Sequence, residues 1–257
     1  MNKYIDHTCL KQGATNSDIE KLCKEAAEYN FAAVCVSPAY VKLAYKLLKD
    51  TDVKICTVIG FPFGYSTTEV KLTEIQNAIG NGADEIDIVQ NVSYVKNREW
   101  EELYNEMEMC LSFYKNVTVK VILESGILTD EEIIKCCEVY SKFEGKIDFM
   151  KTSTGFAEKG ASIHHVNLIK QNIPTTMQIK ASGGIRDFSF AKELIDAGAT
   201  RIGCSAGIAI MQGKVIYRST YEKIIFEAEA AGKITVVDLP LSGGDSEYGL
   251  NGIIDGY

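Results

Sequence analysis

The sequence predicts a single (β/α)8 barrel, and three observations lead there. Eight short apolar runs alternate with eight amphipathic stretches, which implies parallel strands joined by crossover helices. The length of 257 residues matches the roughly 250 residues of such barrels. Two segments, "NGADEIDIV" (81–89) and "AGATRIGCS" (197–205), echo one another, each passing from Gly-Ala at a helix end into a strand. A doubly wound open sheet is the alternative.

Taken in order, the first strand is expected at 3–8. A helix follows over 17–30, where Ile19, Leu22, Cys23, Ala26 and Ala27 recur at i, i+3, i+4, i+7 and i+8. Strand 32–37 leads to helix 39–49, strand 54–60 to helix 67–80, and strand 85–90 to helix 99–114. Strand 117–125 leads to helix 129–141, which opens on Thr129 as N-cap with acids at 130–132 in its first turn. Strand 146–153 precedes helix 162–172, strand 176–182 precedes helix 187–197, and strand 201–206 precedes helix 215–231. No linker or low-complexity segment appears before residue 233. The barrel is therefore assigned to 1–232, and the Gly-rich tail at 233–257 is expected to be mobile.

Composition excludes several classes. The net charge is −8, and Lys and Arg are scattered without a basic stripe, which argues against a nucleic-acid partner. The eight cysteines include no CxxC pair, and three histidines are too few for an obvious zinc site, so no metal is expected. Several cysteines fall in apolar periodic segments, where cysteine acts as a small hydrophobe. The N-terminus lacks the apolar run of a signal peptide, and no window approaches the roughly 20 apolar residues that span a bilayer. A soluble, cytoplasmic protein without a membrane partner is expected.

Strand side chains alternate between faces, and in a barrel the helix-facing set should be apolar. Ile86 and Ile88 face out, so Asp87 faces the lumen. Val119, Val121 and Leu123 likewise place Lys120 and Glu124 inside, and Met177 and Ile179 place Lys180 inside. Lys151 lies opposite Met150, and Asp6 and Thr8 lie opposite Ile5 and His7. Asp6, Asp87, Lys120, Lys151 and Lys180 thus converge on one lumen. Barrel interiors are normally filled by Val, Ile and Leu, and the chemistry sits at the C-terminal strand ends. Structural ion pairs are the bland reading, but burying several charges without a task is costly.

Two glycine-rich stretches, "ASGGIRD" (181–187) and "GCSAG" (203–207), follow the seventh and eighth strands, where barrels often bind phosphate. A lumenal lysine beside a phosphate site suggests Schiff-base chemistry. An amine attacks a carbonyl only when unprotonated, and burial and a second cation both lower a lysine pKa from about 10.4. Lys151 and Lys180 sit on adjacent strands, so each is expected to depress the other. Asp87 is placed to move protons during carbinolamine dehydration and carbanion formation.

The motifs "IDHTCLK", "ADEIDIVQNV", "KVILESGIL", "DFMKTSTGF", "IKASGGIRD" and "RIGCSAG" together resemble the deoxyribose-phosphate aldolases, a class I aldolase family on a (β/α)8 barrel. The likeness runs in order from about residue 4 to 210. It implies reversible cleavage of 2-deoxy-D-ribose 5-phosphate to acetaldehyde and D-glyceraldehyde 3-phosphate, without a cofactor, in deoxynucleoside breakdown. It assigns the Schiff base to Lys151, the perturbing second lysine to Lys180 and proton transfer to Asp87. It implies a supporting charge pair between Asp6 and Lys120, with Thr8 and Cys35 lining the pocket near the small aldehyde. Gly155, Gly183, Gly184, Gly203 and Ser205 match the family's phosphate loops, and a homodimer is a further expectation. Ala206 and Phe156 stand where some members carry Ser and Lys, which weakens direct phosphate pairing. Some members also end in a tyrosine that assists proton transfer, and Tyr257 is expected to do so here. Another lysine-dependent barrel aldolase, a transaldolase and a non-catalytic sugar-phosphate binder are the competing readings.

Other residues receive plainer assignments. His164 and His165 are read as surface or packing residues, Trp100 as a core or interface anchor, and Cys136 and Cys137 as core. Arg186 is open between the phosphate and Asp187.

Overall fold

The computed structural model describes residues 1–112 and 116–213. Within them eight parallel strands close into a barrel in sequence order. The elements run β1 (Ile5–Cys9), α1 (Asn16–Glu28), β2 (Ala33–Val36), α2 (Val41–Leu48), β3 (Lys54–Ile59), α3 (Thr68–Gly80) and β4 (Glu85–Val89). They continue through α4 (Val92–Lys96), α5 (Trp100–Leu111), β5 (Thr118–Ile122), α6 (Asp130–Ser141), β6 (Phe149–Lys151) and α7 (Ile163–Asn172). Last come β7 (Gln178–Ser182), α8 (Phe188–Ala197), β8 (Arg201–Cys204) and the short α9 (Gly207–Met211). The seam closes where β1 pairs with β8, Asp6 opposite Gly203.

Local chemistry sets most boundaries. Thr129 caps α6 in a reciprocal box with Glu132, and Thr15 does the same for α1 with Asp18, which satisfies amides that a helix start leaves orphaned. Three predicted elements differ. The helix expected at 39–49 begins as a 3-10 turn over Pro38–Tyr40, led by the proline. The β4–β5 crossover contains two helices instead of one: Asn91 caps α4 through the Ser93 amide, and Arg98, at φ 59°, separates it from α5. The sixth strand, expected over 146–153, is only three residues long. Gly145 turns at φ 80° before it, and Thr152–Thr154 leave it to form a buried loop. The predicted helix 215–231, the tail at 233–257 and Tyr257 lie outside the described residues.

The core has two parts. Outward side chains such as Ile86, Ile88, Val119, Val121, Met150, Ile179 and Ile202 are buried among apolar helix faces. Each fully buried aliphatic side chain contributes about 1.5–3 kcal/mol, so this layer can support a costly interior. Inside the barrel, Ala33, Cys35, Cys56 and Val58 form a small apolar cluster on β2 and β3 with Leu10 and Phe61 packed on it. Beside this cluster the lumen holds Asp6, Glu85, Asp87, Lys120, Lys151 and Lys180, all buried. Cys136 and Cys137 are buried core, and Trp100 packs against the core from its edge. Among the described residues no helix is long and apolar enough to cross a membrane.

Candidate active site

The period-two alternation brings charges from six strands to one level of the lumen. Asp87 on β4 is fully buried and is the hub. Its Oδ1 accepts from Lys120 Nζ on β5 at 2.8 Å, and its Oδ2 accepts from Lys151 Nζ on β6 at 2.8 Å and Lys180 Nζ on β7 at 2.7 Å. Lys180 also pairs with Asp6 on β1 at 2.5 Å. Asp6 accepts in turn from Arg201 Nη1 on β8 at 2.7 Å, and Arg201 lies 3.1 Å from Glu85 on β4. Glu85 completes the circuit by pairing with Lys120 at 2.6 Å. Below this network Phe149 fills the lumen, its ring centroid 5.3 Å from the Arg201 guanidinium carbon and 5.9 Å from Lys120 Nζ.

Neighbouring strand ends hold the two key lysines side by side. Lys151 and Lys180 are register partners. Just beyond them, Thr152 Oγ1 accepts from the Ser182 amide at 3.1 Å, and Ser182 Oγ donates to the Ser153 carbonyl at 2.5 Å. These bonds tie the β6 loop to β7 and fix the lysines' spacing.

The electrostatics follow from who touches whom. Burial opposes ionisation of Asp87, yet Lys120, Lys151 and Lys180 together hold its carboxyl well below the usual range. Burial alone would strip the proton from Lys180, but Asp6 and Asp87 outweigh it and push its pKa above the ordinary lysine value. The expected mutual depression of the two lysines is therefore corrected for Lys180, which is a firmly held cation. Lys120 is raised for the same reason, with Asp87 its leading partner against burial.

The lysines differ in access. A cavity of about 460 Å³ opens above the network, lined by Lys151 but by neither Lys120 nor Lys180. Lys151 also touches one carboxylate, where the other two lysines each span two. Of these three lysines, Lys151 is thus the one that faces the cavity.

Thr8, Gly155, Gly183, Gly184, Gly203 and Ser205 all line this cavity, as expected. Thr8 Oγ1 donates to the Asp6 carbonyl at 2.8 Å. Gly183 has φ 91°, and a Cβ there would stand 3.0 Å from Gly160 Cα, so the loop crossing admits only glycine. At the start of α8, Asp187 already caps the Phe190 amide at 2.9 Å, which leaves that amide no bond for a phosphate. An anion would instead meet the 183–185 backbone, with exposed Arg186 and Lys11 at the rim. Arg186 lines the cavity and is exposed at its rim.

Two expectations are corrected. Asp6 and Lys120 form no direct pair, since Asp6 reaches Lys180 and Arg201 while Lys120 reaches Glu85 and Asp87. Cys35 does not line the cavity but is buried in the apolar cluster beside Cys56. A hydrogen bond from Cys56 holds the Cys35 thiol below its ordinary value, and burial pushes Cys56 up.

Glu85 and Arg201 went unassigned in the sequence, although alternation about Ile86 and Ile202 points both inward. Glu124 is another such residue, with its backbone left-handed at φ 55°. Its carboxylate accepts from the Thr154 amide at 3.2 Å and from the Thr154 hydroxyl, which clamps the loop that carries Gly155. His164 lies on the surface, paired with Asp130 at 2.8 Å.

Cys35, Cys56 and Asp87 have donor atoms within 4.8 Å of one another, a set that suits a soft metal on type alone. Three ammonium groups already occupy Asp87, and their charge opposes a cation there. The network also predicts an acid limit. The Asp6 carboxyl is lowered to about 2, its burial outweighed by Lys180, Lys120 and Arg201. A depressed folded value means that the stabilisation is complete above the unfolded pKa near 4 and disappears as pH falls towards 2. Equilibrium unfolding should therefore lose stability across that window, and Asp6→Asn should flatten that part of the curve.

Comparison with known proteins gives a consistent picture. Residues 1–221 match the model of the DeoC/LacD family aldolases. The chain is 48% identical over 213 residues to the deoxyribose-phosphate aldolase of Lactococcus lactis subsp. cremoris, covering 83% of this chain and 96% of that one. It is 50% identical over 217 residues to the Carboxydothermus hydrogenoformans enzyme of the same name, covering 83% and 94%. Among solved structures, the tetrameric deoxyribose phosphate aldolase of Aeropyrum pernix superposes with a TM-score of 0.74 at 33% identity, covering 82% and 89% of the two chains.

Proposed function

Because the chain belongs to the DeoC/LacD family of aldolases, we infer that it is a deoxyribose-phosphate aldolase, a class I enzyme working through a Schiff base on Lys151. The observation that carries the assignment of the lysine is the asymmetry of the lumen. Of the three lysines on Asp87, only Lys151 lines the cavity, and only Lys151 has a single carboxylate partner.

The geometry suits the reaction step by step. Lys151 Nζ attacks the C1 aldehyde of open-chain 2-deoxy-D-ribose 5-phosphate, forming a carbinolamine. Asp87 bridges Lys151 and Lys180 through one carboxylate oxygen, so it can relay a proton between the reacting atoms and the Lys180 ammonium. Loss of water gives an iminium. The C2–C3 bond then breaks, its electron pair passing to the enamine while the C3 hydroxyl gives up its proton. D-Glyceraldehyde 3-phosphate leaves. Protonation at C2 and addition of water release acetaldehyde and regenerate the amine, so one water leaves and one returns.

The 5-phosphate would rest against Gly183 and Gly184, with Ser205 and Gly155 nearby and Arg186 at the rim. A phosphorylated sugar fits the charge of this end, and Phe156 gives one wall an apolar character. Cytoplasmic location and a homodimer belong to this reading, and sedimentation velocity tests the latter.

Borohydride trapping with acetaldehyde tests the whole assignment. Peptide mapping should find the reduced two-carbon adduct on Lys151, and dihydroxyacetone phosphate should give none. Trapping by the ketose donor instead would favour a transaldolase-like enzyme. No adduct on folded, ligand-binding protein would favour a binder.

A further inference from the structure

We propose that Arg201 is a positioning residue whose charge leaves Lys151 as the free amine of the site. The proposal rests on Lys151 being the nucleophile and goes beyond it by assigning what sets that lysine apart.

Among the described residues the buried network contains three carboxylates, Asp6, Glu85 and Asp87, and four cations, Lys120, Lys151, Lys180 and Arg201. Six of these groups form a closed ring of alternating charge, in the order Asp87, Lys120, Glu85, Arg201, Asp6, Lys180 and back to Asp87. Each ring cation touches two carboxylates. Lys151 hangs outside the ring on Asp87 alone. The ring is neutral without Lys151, so a proton on Lys151 would be the one unmatched charge in the lumen.

Arg201 is the member that makes this so. A guanidinium does not give up its proton under working conditions. It reaches from β8 across the barrel to Glu85 on β4 while holding Asp6 on β1. Without its charge the count becomes three against three, and Lys151 is then the cation that balances Asp87. Lys151 would keep its proton, and an ammonium is no nucleophile.

Other groups face Lys151 from every packed strand. Asp87 contacts it directly, Lys180 shares that carboxylate from the adjacent register position, and Lys120 and Asp6 lie further along the ring. Cys35 and Cys56 face it from β2 and β3, the first with a lowered and the second with a raised thiol pKa. Of these, a change at residue 201 touches Asp6 directly, which loses its Arg201 contact. Arg201→Met nonetheless strands no carboxylate, because Asp6 keeps Lys180 and Glu85 keeps Lys120.

The test is the pH profile of kcat/KM for sugar-phosphate cleavage in the wild type, Arg201→Met, Arg201→Lys and Glu85→Gln. Arg201→Met should move the acid limb to higher pH by about one unit, the size expected of one charge across a semi-buried path at an effective dielectric near 20. Glu85→Gln removes a negative charge and should move the limb the opposite way. Arg201→Lys retains the charge and should restore the wild-type limb even if its amplitude falls. Limbs that stay in place, or that move together in both charge variants, would overturn the proposal. If Arg201→Met does not fold, Glu85→Gln and Arg201→Lys still decide the sign. Borohydride trapping of the wild type tests the nucleophile separately, so a failed ring leaves the Schiff-base assignment standing.

Discussion

Replacing Lys151 by methionine is expected to lower kcat for cleavage by at least about 10⁴-fold, as loss of a covalent nucleophile does. The side chain keeps its length and its fit against the β6–β7 loop bonds, so the barrel should remain intact. Asp87 retains Lys120 and Lys180, and the deleted group is the one that lies outside the ring. Thermal unfolding should therefore be unchanged or shifted slightly upward. That combination separates a chemical defect from a folding defect. Lys151→Arg should fare no better in activity, because its guanidinium stays protonated. If borohydride still traps acetaldehyde in the methionine variant, and the adduct maps to Lys180, the roles of the two lysines are reversed.

Asp87→Asn should injure both activity and stability. Lys120 keeps Glu85 and Lys180 keeps Asp6, but Lys151 loses its one partner, and the Lys120 and Lys180 ammonium groups face each other across a neutral amide. Breaking a buried ion pair by removing one side costs about 3–5 kcal/mol. The relay between Lys151 and Lys180 disappears as well, for a loss of about 10²–10⁴-fold in kcat. Urea unfolding of the variant at pH 7 measures the stability loss, and kcat of the folded protein measures the loss of the relay.

Much of this site could be read from strand alternation alone. Asp87, Lys120 and Lys180 each lie between two aliphatic residues and Lys151 follows Met150, so their inward direction follows from which neighbours belong against helices. Glu85 and Arg201 obey the same rule but open their strands, where a charge is normally solvated, and the signal is easily passed over. The partners were not legible. Asp6 resembles a mate for Lys120 on charge, but barrel closure sets β1 against β8 and so brings it to Arg201 and Lys180. The family resemblance placed Cys35 in the pocket, but inward on β2 means the apolar side of the lumen. In the fold, α4 was missed because five residues carry too little periodicity to stand out, and its cap, Asn91, reads equally well as a turn residue.

The contact from Arg201 to Asp6 spans 195 positions of sequence. An order of assembly follows from that separation. Neighbouring strands can pair as the chain collapses, but these two side chains meet only when the first and last strands zip together. Non-local closures of this kind come late and slowly in folding. Until then the lumenal acids and bases keep their water, and their desolvation falls on the final step, when every partner arrives at once. A partly folded chain, or a nascent one lacking β8, would hold an open, hydrated half-barrel without a working amine. Catalytic competence would then report that the barrel has closed.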